Sequence, residues 1–186
     1  MAIKSTIFKA NLSISDISRG YYEEQALTIA RHPSETDLRM ILRLVVFALN
    51  AHENLSFTKG LSDADEPDIW QKSLTGDIEH WIDLGQPAEK RIRQACGKSD
   101  RVSIYTYQKG SAMVWYEGIK DKLERFDHLN VTHLSVSDEH ALTRMIDRSM
   151  QFTCVIEDQH VLLSNEQENI TIELKSLKTA LAKNAW

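Results

Sequence analysis

The chain has 186 residues, a formal charge of −5 and 42% hydrophobic residues, which fits one domain that buries about 70% of its unfolded surface. No apolar run reaches the roughly eighteen residues of a membrane span, and Met1 to Phe8 hold no signal-peptide core, so neither a span nor a leader is expected. Cys96 and Cys154 form no CxxC, which disfavours zinc and disulfides and favours a cytoplasmic setting, and the acidic balance disfavours a general nucleic-acid coat while allowing a local basic groove.

Residues 2–14 read as a strand, because Thr6, Phe8, Ala10, Leu12 and Ile14 alternate with a second, more polar set. Asp16 to Gly20 is a turn signal. Residues 21–30 fit a returning strand through the alternation at Leu27 and Ile29, although Tyr22 to Leu27 also suits a helix. Ser34 reads as a helix N-cap, with Asp37 three residues on as in a capping box. Leu38, Ile41, Leu42, Val45, Val46 and Leu49 then recur at helical spacing to Asn50. Glu35 lies along that buried stripe at its first turn. It is either a dipole-favoured acid or a carboxylate aimed at a site on the sheet below. Arg39 and Arg43 share a neighbouring face, as solvated charge or as phosphate contacts.

Leu55 to Lys59 is a short strand stopped by Gly60, and Asp63 to Asp68 is an acidic loop leading into a strand at Ile69 to Gln71. The next strand, Ile78 to Leu84, puts Ile78, His80, Ile82 and Leu84 on one face and Glu79, Trp81 and Asp83 on the other. Gly85, Gln86 and Pro87 open a helix with its stripe at Ala88, Ile92, Ala95 and Cys96 and a C-cap at Gly97. A strand at 102–107, a helix at 111–123, a strand at 129–136 and a helix from Ser137 or Asp138 to about Arg148 follow. The strands at 152–157, 160–163 and 170–174 form a closing meander. The expected organisation is one domain over 1–178 with a tail at 179–186 of weak helical character.

From residue 34 onward the order is helix, strand, strand, strand, helix, strand. Glu35, Pro67-Asp68 and Asp83-Leu84-Gly85 fall on it. That order and those positions resemble the core of the PD-(D/E)XK nuclease superfamily. More closely, the chain resembles the bacterial YaeQ family. The likeness is carried by Arg31 to Glu35, Gly60-Leu61 with Asp65-Glu66-Pro67, Trp81 to Gly85, and Arg91-Ile92, and it spans Ile3 to about Leu177. It implies a mixed α/β fold, a restriction-endonuclease-like core with β-rich N- and C-terminal additions. It also implies a metal site, usually Mg²⁺, at Glu35, Asp68 and Asp83, where the ion polarises a scissile phosphate and lowers the pKa of a bound water.

The superfamily normally carries a lysine two residues after the second acid, and here that residue is Gly85. Gln86 can hydrogen-bond but brings no charge. Lys90 and Arg91 are the possible substitutes. At roughly 100° per residue Lys90 lies about 175° from the buried stripe of its helix and Arg91 about 85°, so Arg91 reaches the core side more easily. Arg91 is a good phosphate fork but a poor proton-transfer group. Asp83 paired with Arg91 as an ordinary ion pair is the plainer reading of the same residues.

Two functions follow as expectations. One is a metal-dependent nuclease or phosphodiesterase working through Glu35, Asp68, Asp83, Gln86 and Arg91. The other is a non-catalytic protein on a nuclease-like scaffold, with nucleic acid or the transcription machinery as its partner. Hydrolase-elbow, zincin and P-loop motifs are missing.

Overall fold

The computed structural model describes residues 4–59, 61 and 63–181. The fold is mixed α/β and dominated by sheet. Its elements run β1 (Thr6–Asp16), β2 (Tyr21–Arg31), α1 (Asp37–Leu49), β3 (Leu55–Phe57), β4 (Ile69–Lys72), β5 (Ile78–Leu84), α2 (Glu89–Lys98) and β6 (Ser99–Thr106). They continue through α3 (Ser111–Leu123), β7 (Leu129–Val136), α4 (Glu139–Arg144), β8 (Ser149–Glu157), β9 (His160–Ser164) and β10 (Asn169–Lys178). No helix among the described residues is long and apolar enough to cross a membrane.

The chain divides into two compact units. The first comprises Met1–Ala51, Lys59–Ala64 and Val136–Leu174, and the second His52–Thr58, Asp65–Ser135 and Lys175–Trp186. In the first, the strands lie in the order β2-β1-β8-β9-β10. β1 pairs antiparallel with β2 and parallel with β8, and β8-β9-β10 is the expected antiparallel meander. The segment at 21–30, read as a returning strand with a helix as the alternative, is a strand: full pairing with β1 from Tyr21 to Arg31 outweighs the helix formers at its start. Phe8, Ala10, Leu12 and Ile14 of β1 and Met150, Phe152, Cys154 and Ile156 of β8 are buried on one face. α1 packs against both strands and against α4, and Met40 to Ala48 is buried at every position.

In the second unit the order is β7-β6-β5-β4-β3. β5, β6 and β7 are parallel, and α2 and α3 supply the crossovers such pairing needs. β4 pairs antiparallel with β5 and β3. Trp81, Ile92, Ala95, Val102, Ile104, Leu123, Leu129 and Val131 form its core.

Several boundaries differ from expectation. α1 is capped by Thr36, whose side chain accepts from the Arg39 amide. Ser34, the expected cap, instead pairs with His32 Nδ1 at 2.6 Å. Gly97 lies inside α2, which ends at Lys98 because Ser99 is already extended in β6. α4 stops at Arg144 rather than near Arg148, as β8 starts three residues before the expected Phe152. β10 runs on to Lys178. Residues 179–181 are not helical; the rest of the expected tail, like Gly60, lies outside the described residues.

Candidate functional site

Asp68 and Asp83 meet across the β4–β5 pair. The register sets Ile69 opposite Ile82, so Asp68, just before β4, lies beside the Asp83 end of β5. Asp68 Oδ2 accepts from the Leu84 amide at 2.8 Å, and Asp83 Oδ1 accepts from the Asp68 amide at 3.3 Å. Both acids are buried. Trp81 shares the Asp83 face of the strand and donates its indole N–H to Asp83 Oδ2 at 3.0 Å.

Arg91 closes the arrangement. It reaches from the first turn of α2, donating through Nε to Asp83 Oδ2 at 2.7 Å and through Nη2 to Asp83 Oδ1 at 2.9 Å. Nη2 also donates to the Glu66 carbonyl at 2.8 Å. This is the planar fork that guanidinium offers a carboxylate. The helical geometry that favoured Arg91 over Lys90 agrees with their burial: Arg91 is half-buried and Lys90 exposed. Burial pushes the Asp83 pKa up; the Arg91 hydrogen bonds pull it down and the charge of Asp68 adds to the rise. Asp65, expected as plain loop charge, accepts from Gln94 at 3.1 Å.

Gly85 follows at φ 107°, a backbone region that L side chains rarely adopt, and its amide donates to the Tyr105 carbonyl at 2.8 Å. Gln86 turns toward α3 and donates to Ser111 Oγ at 2.7 Å. Trp115 of α3 donates to the Pro87 carbonyl at 3.0 Å. The N-termini of α2 and α3 therefore lie near the carboxyl ends of the parallel strands β5 and β6. Neither N-cap residue, Ala88 or Gly110, makes a side-chain cap. Ser111 and Trp81 were not anticipated in these roles. Trp81 was signalled by its i,i−2 spacing from Asp83, whereas Ser111 carried no local signal, because its partner Gln86 is 25 residues away.

Glu35 belongs to the first unit and has its own partners there. It precedes α1 rather than lying within it. Oε1 accepts from Arg43 Nε at 2.8 Å and from Arg39 Nη1 at 2.9 Å, and Oε2 accepts from Arg43 Nη2 at 2.7 Å. Arg43 is itself buried and also donates to the Ala30 carbonyl at 2.7 Å. The two arginines are thus neither a solvated face nor phosphate contacts in this arrangement; they neutralise Glu35.

The donor set as it stands does not fit Mg²⁺. Each Asp83 oxygen carries an Arg91 hydrogen bond, and Asp68 Oδ2 carries a backbone amide, where a hard cation needs open carboxylate oxygens. Among the described residues no group of three or more His, Cys, Asp and Glu could hold a metal ion. The His80 ring and the two thiols are closed as well. His80 is buried against Ser103 Oγ at 2.8 Å, and burial, aided by Arg101, lowers its pKa to about 3. Burial pushes the Cys96 and Cys154 thiols up to about 11 and 12, so neither is a thiolate at neutral pH.

Comparison with known proteins gives a consistent answer. The family model described as YaeQ protein matches residues 1–174. The protein described as uncharacterized protein YaeQ from Salmonella typhi is 38% identical over 174 residues, covering 94% of this chain and 96% of that protein. Its counterpart from Escherichia coli (strain K12) is 37% identical with the same coverage. The crystal structure of YaeQ protein from Xanthomonas axonopodis pv. citri superposes with a TM-score of 0.91 at 39% identity, over 95% of this chain and 99% of that one. The YaeQ protein from Pseudomonas syringae gives 0.86 at 32% identity, over 94% and 97%. On the family model, the sequence identities and the two superpositions together, the chain belongs to the YaeQ family.

Proposed function

We propose that this chain is a non-catalytic nucleic-acid-binding protein on a PD-(D/E)XK nuclease-like scaffold, in which Arg91 supplies the positive charge that a metal ion supplies in the superfamily. The observation that carries this reading is the two-pronged pairing of Arg91 with Asp83. Three further features support it. The run α1-β3-β4-β5-α2-β6 has the element order of the superfamily core. Gly85 occupies the lysine position with a backbone that disfavours any side chain. Two helix N-termini without side-chain caps lie near the carboxyl ends of parallel strands, an arrangement whose backbone N–H groups suit phosphate oxygens.

The test is fluorescence anisotropy with labelled single- and double-stranded DNA and RNA, run beside gel assays for strand scission with Mg²⁺ or Mn²⁺. The expected result is binding with Kd of about 10⁻⁴–10⁻⁶ M and intact strands. Arg91→Gln should weaken binding about tenfold, since the acid pair then faces the phosphates without its counter-charge. Strand scission that Asp83→Asn abolishes would overturn the reading in favour of metal-dependent hydrolysis that needs Asp83. Failure to bind any of these polymers would overturn the choice of partner.

A further inference from the structure

The strands of the first unit present an outward face opposite their buried one. A groove of about 710 Å³ lies on it, against β1, β2, β8 and β9, within the size range of small-ligand pockets. Pairing puts its residues in rows. Glu24, Ser13, Thr153 and Ser164 stand side by side across four strands, and Ala26, Asn11 and Gln151 stand in the next row. The side chains of Asn11, Ser13, Gln151 and Thr153 are exposed and hydrogen-bond to no other described residue.

The chemistry of this face narrows the ligand. Here the consecutive outward positions Asn11, Ser13 and Ser15 of β1 and Ser149, Gln151 and Thr153 of β8 are all uncharged. No Lys or Arg lines the groove, which disfavours phosphate as the recognised group. No apolar side chain larger than Ala26 faces out of its lining, whereas the adjoining row Tyr22, Ser15, Val155 and Leu162 is more apolar. Amide and hydroxyl groups both donate and accept, and Glu24 accepts only; together they match the alternating donors and acceptors of vicinal hydroxyls. Tyr22 lies on the same face two residues from Glu24. It is 61% exposed, and a second depression lined by Ser13, Ser15, Tyr22 and Glu24 continues the groove toward it. An exposed ring next to hydroxyl-binding groups offers a flat apolar surface for the C–H face of a sugar.

We propose that this groove binds a neutral, unbranched oligosaccharide, with Asn11, Ser13, Glu24, Gln151 and Thr153 holding its hydroxyls and Tyr22 stacking on one ring. The site lies wholly within the first unit and is independent of the Asp68–Asp83 site, so either proposal can fail alone.

The test is amide NMR titration of the full chain with maltohexaose, cellohexaose and chitohexaose, each beside its monosaccharide. At least one hexasaccharide should give saturable shifts confined to β1, β2, β8 and β9, and bind about tenfold more tightly than the monosaccharide. The double variant Asn11→Ala/Gln151→Ala, at exposed positions that leave the fold intact, should lose that binding about tenfold, and Tyr22→Ala should weaken it. The proposal is overturned if none of the three sugars shifts these amides at millimolar concentration, or if the double variant binds as the parent does. It is also overturned if sedimentation shows a dimer that the double variant dissociates, since a second copy then covers the face.

Discussion

Gly85 shows how one backbone angle shapes the chemistry of the site. A lysine at position 85 would need a Cβ at φ 107°, and a Cβ built there lies 3.7 Å from Gln108 Nε2. Space is available, but the backbone conformation is strained for any L residue. Gly85→Lys is therefore expected to lower stability by about 1–3 kcal/mol in urea denaturation without conferring strand scission. A variant as stable as the parent would show that the strain argument is wrong. Asp83 gives a second expectation at the same scale. Its folded pKa is raised, chiefly by burial, so from about pH 4 upward the unfolded chain gives up this proton before the folded one does. The native state then binds more protons at this position, and its contribution to stability falls as pH rises through the folded pKa. Asp83→Asn should remove that decline from a stability-versus-pH profile; an unchanged slope would locate the effect elsewhere.

The elements were legible wherever their pattern was local. Alternation identified β1, β5 and the closing meander, and the 3.6-residue stripe identified α1. Boundaries were less legible because neighbours compete for them. Ser34 and Thr36 both satisfy the chemistry of an N-cap, and the tie is broken by Glu35: its carboxylate is drawn to Arg39 and Arg43, and the helix starts after it. Thr36→Ala should thus cost about 1 kcal/mol, while Ser34→Ala should stay within about 0.5 kcal/mol, as read from paired denaturation curves. The reverse order would put the cap back at Ser34. Gly97 misled for a related reason: a glycine ends a helix when the chain needs a left-handed residue, and here the chain passes directly into β6. In the candidate site, the Arg91–Asp83 pair was foreseeable from the angle of Arg91 on α2. The Gln86–Ser111 pair was not, since it depends on how α2 and α3 dock rather than on spacing within one element.

At the scale of the whole molecule, charge limits what the nucleic-acid reading allows. The chain carries 27 acidic against 22 basic residues, so it repels a polyanion at long range and can attract one only through a small local surface. Several basic groups are already engaged: Arg43 and Arg39 with Glu35, Arg91 with Asp83, Arg125 with Glu89, and Arg144 with Glu168. Those five are not free to displace counterions from the phosphate backbone. Each phosphate neutralised on a duplex contributes about −0.9 to the slope of log K against log salt. Two or three contacts predict a slope of about −2 to −3 when duplex binding is measured across a salt series. Helix N-termini neutralise phosphates only partially, so a site that relies on their backbone amides falls at the shallow end of that range. A slope of about −6 or steeper would require a broad basic surface, and would show that binding does not centre on the Asp83–Arg91 site.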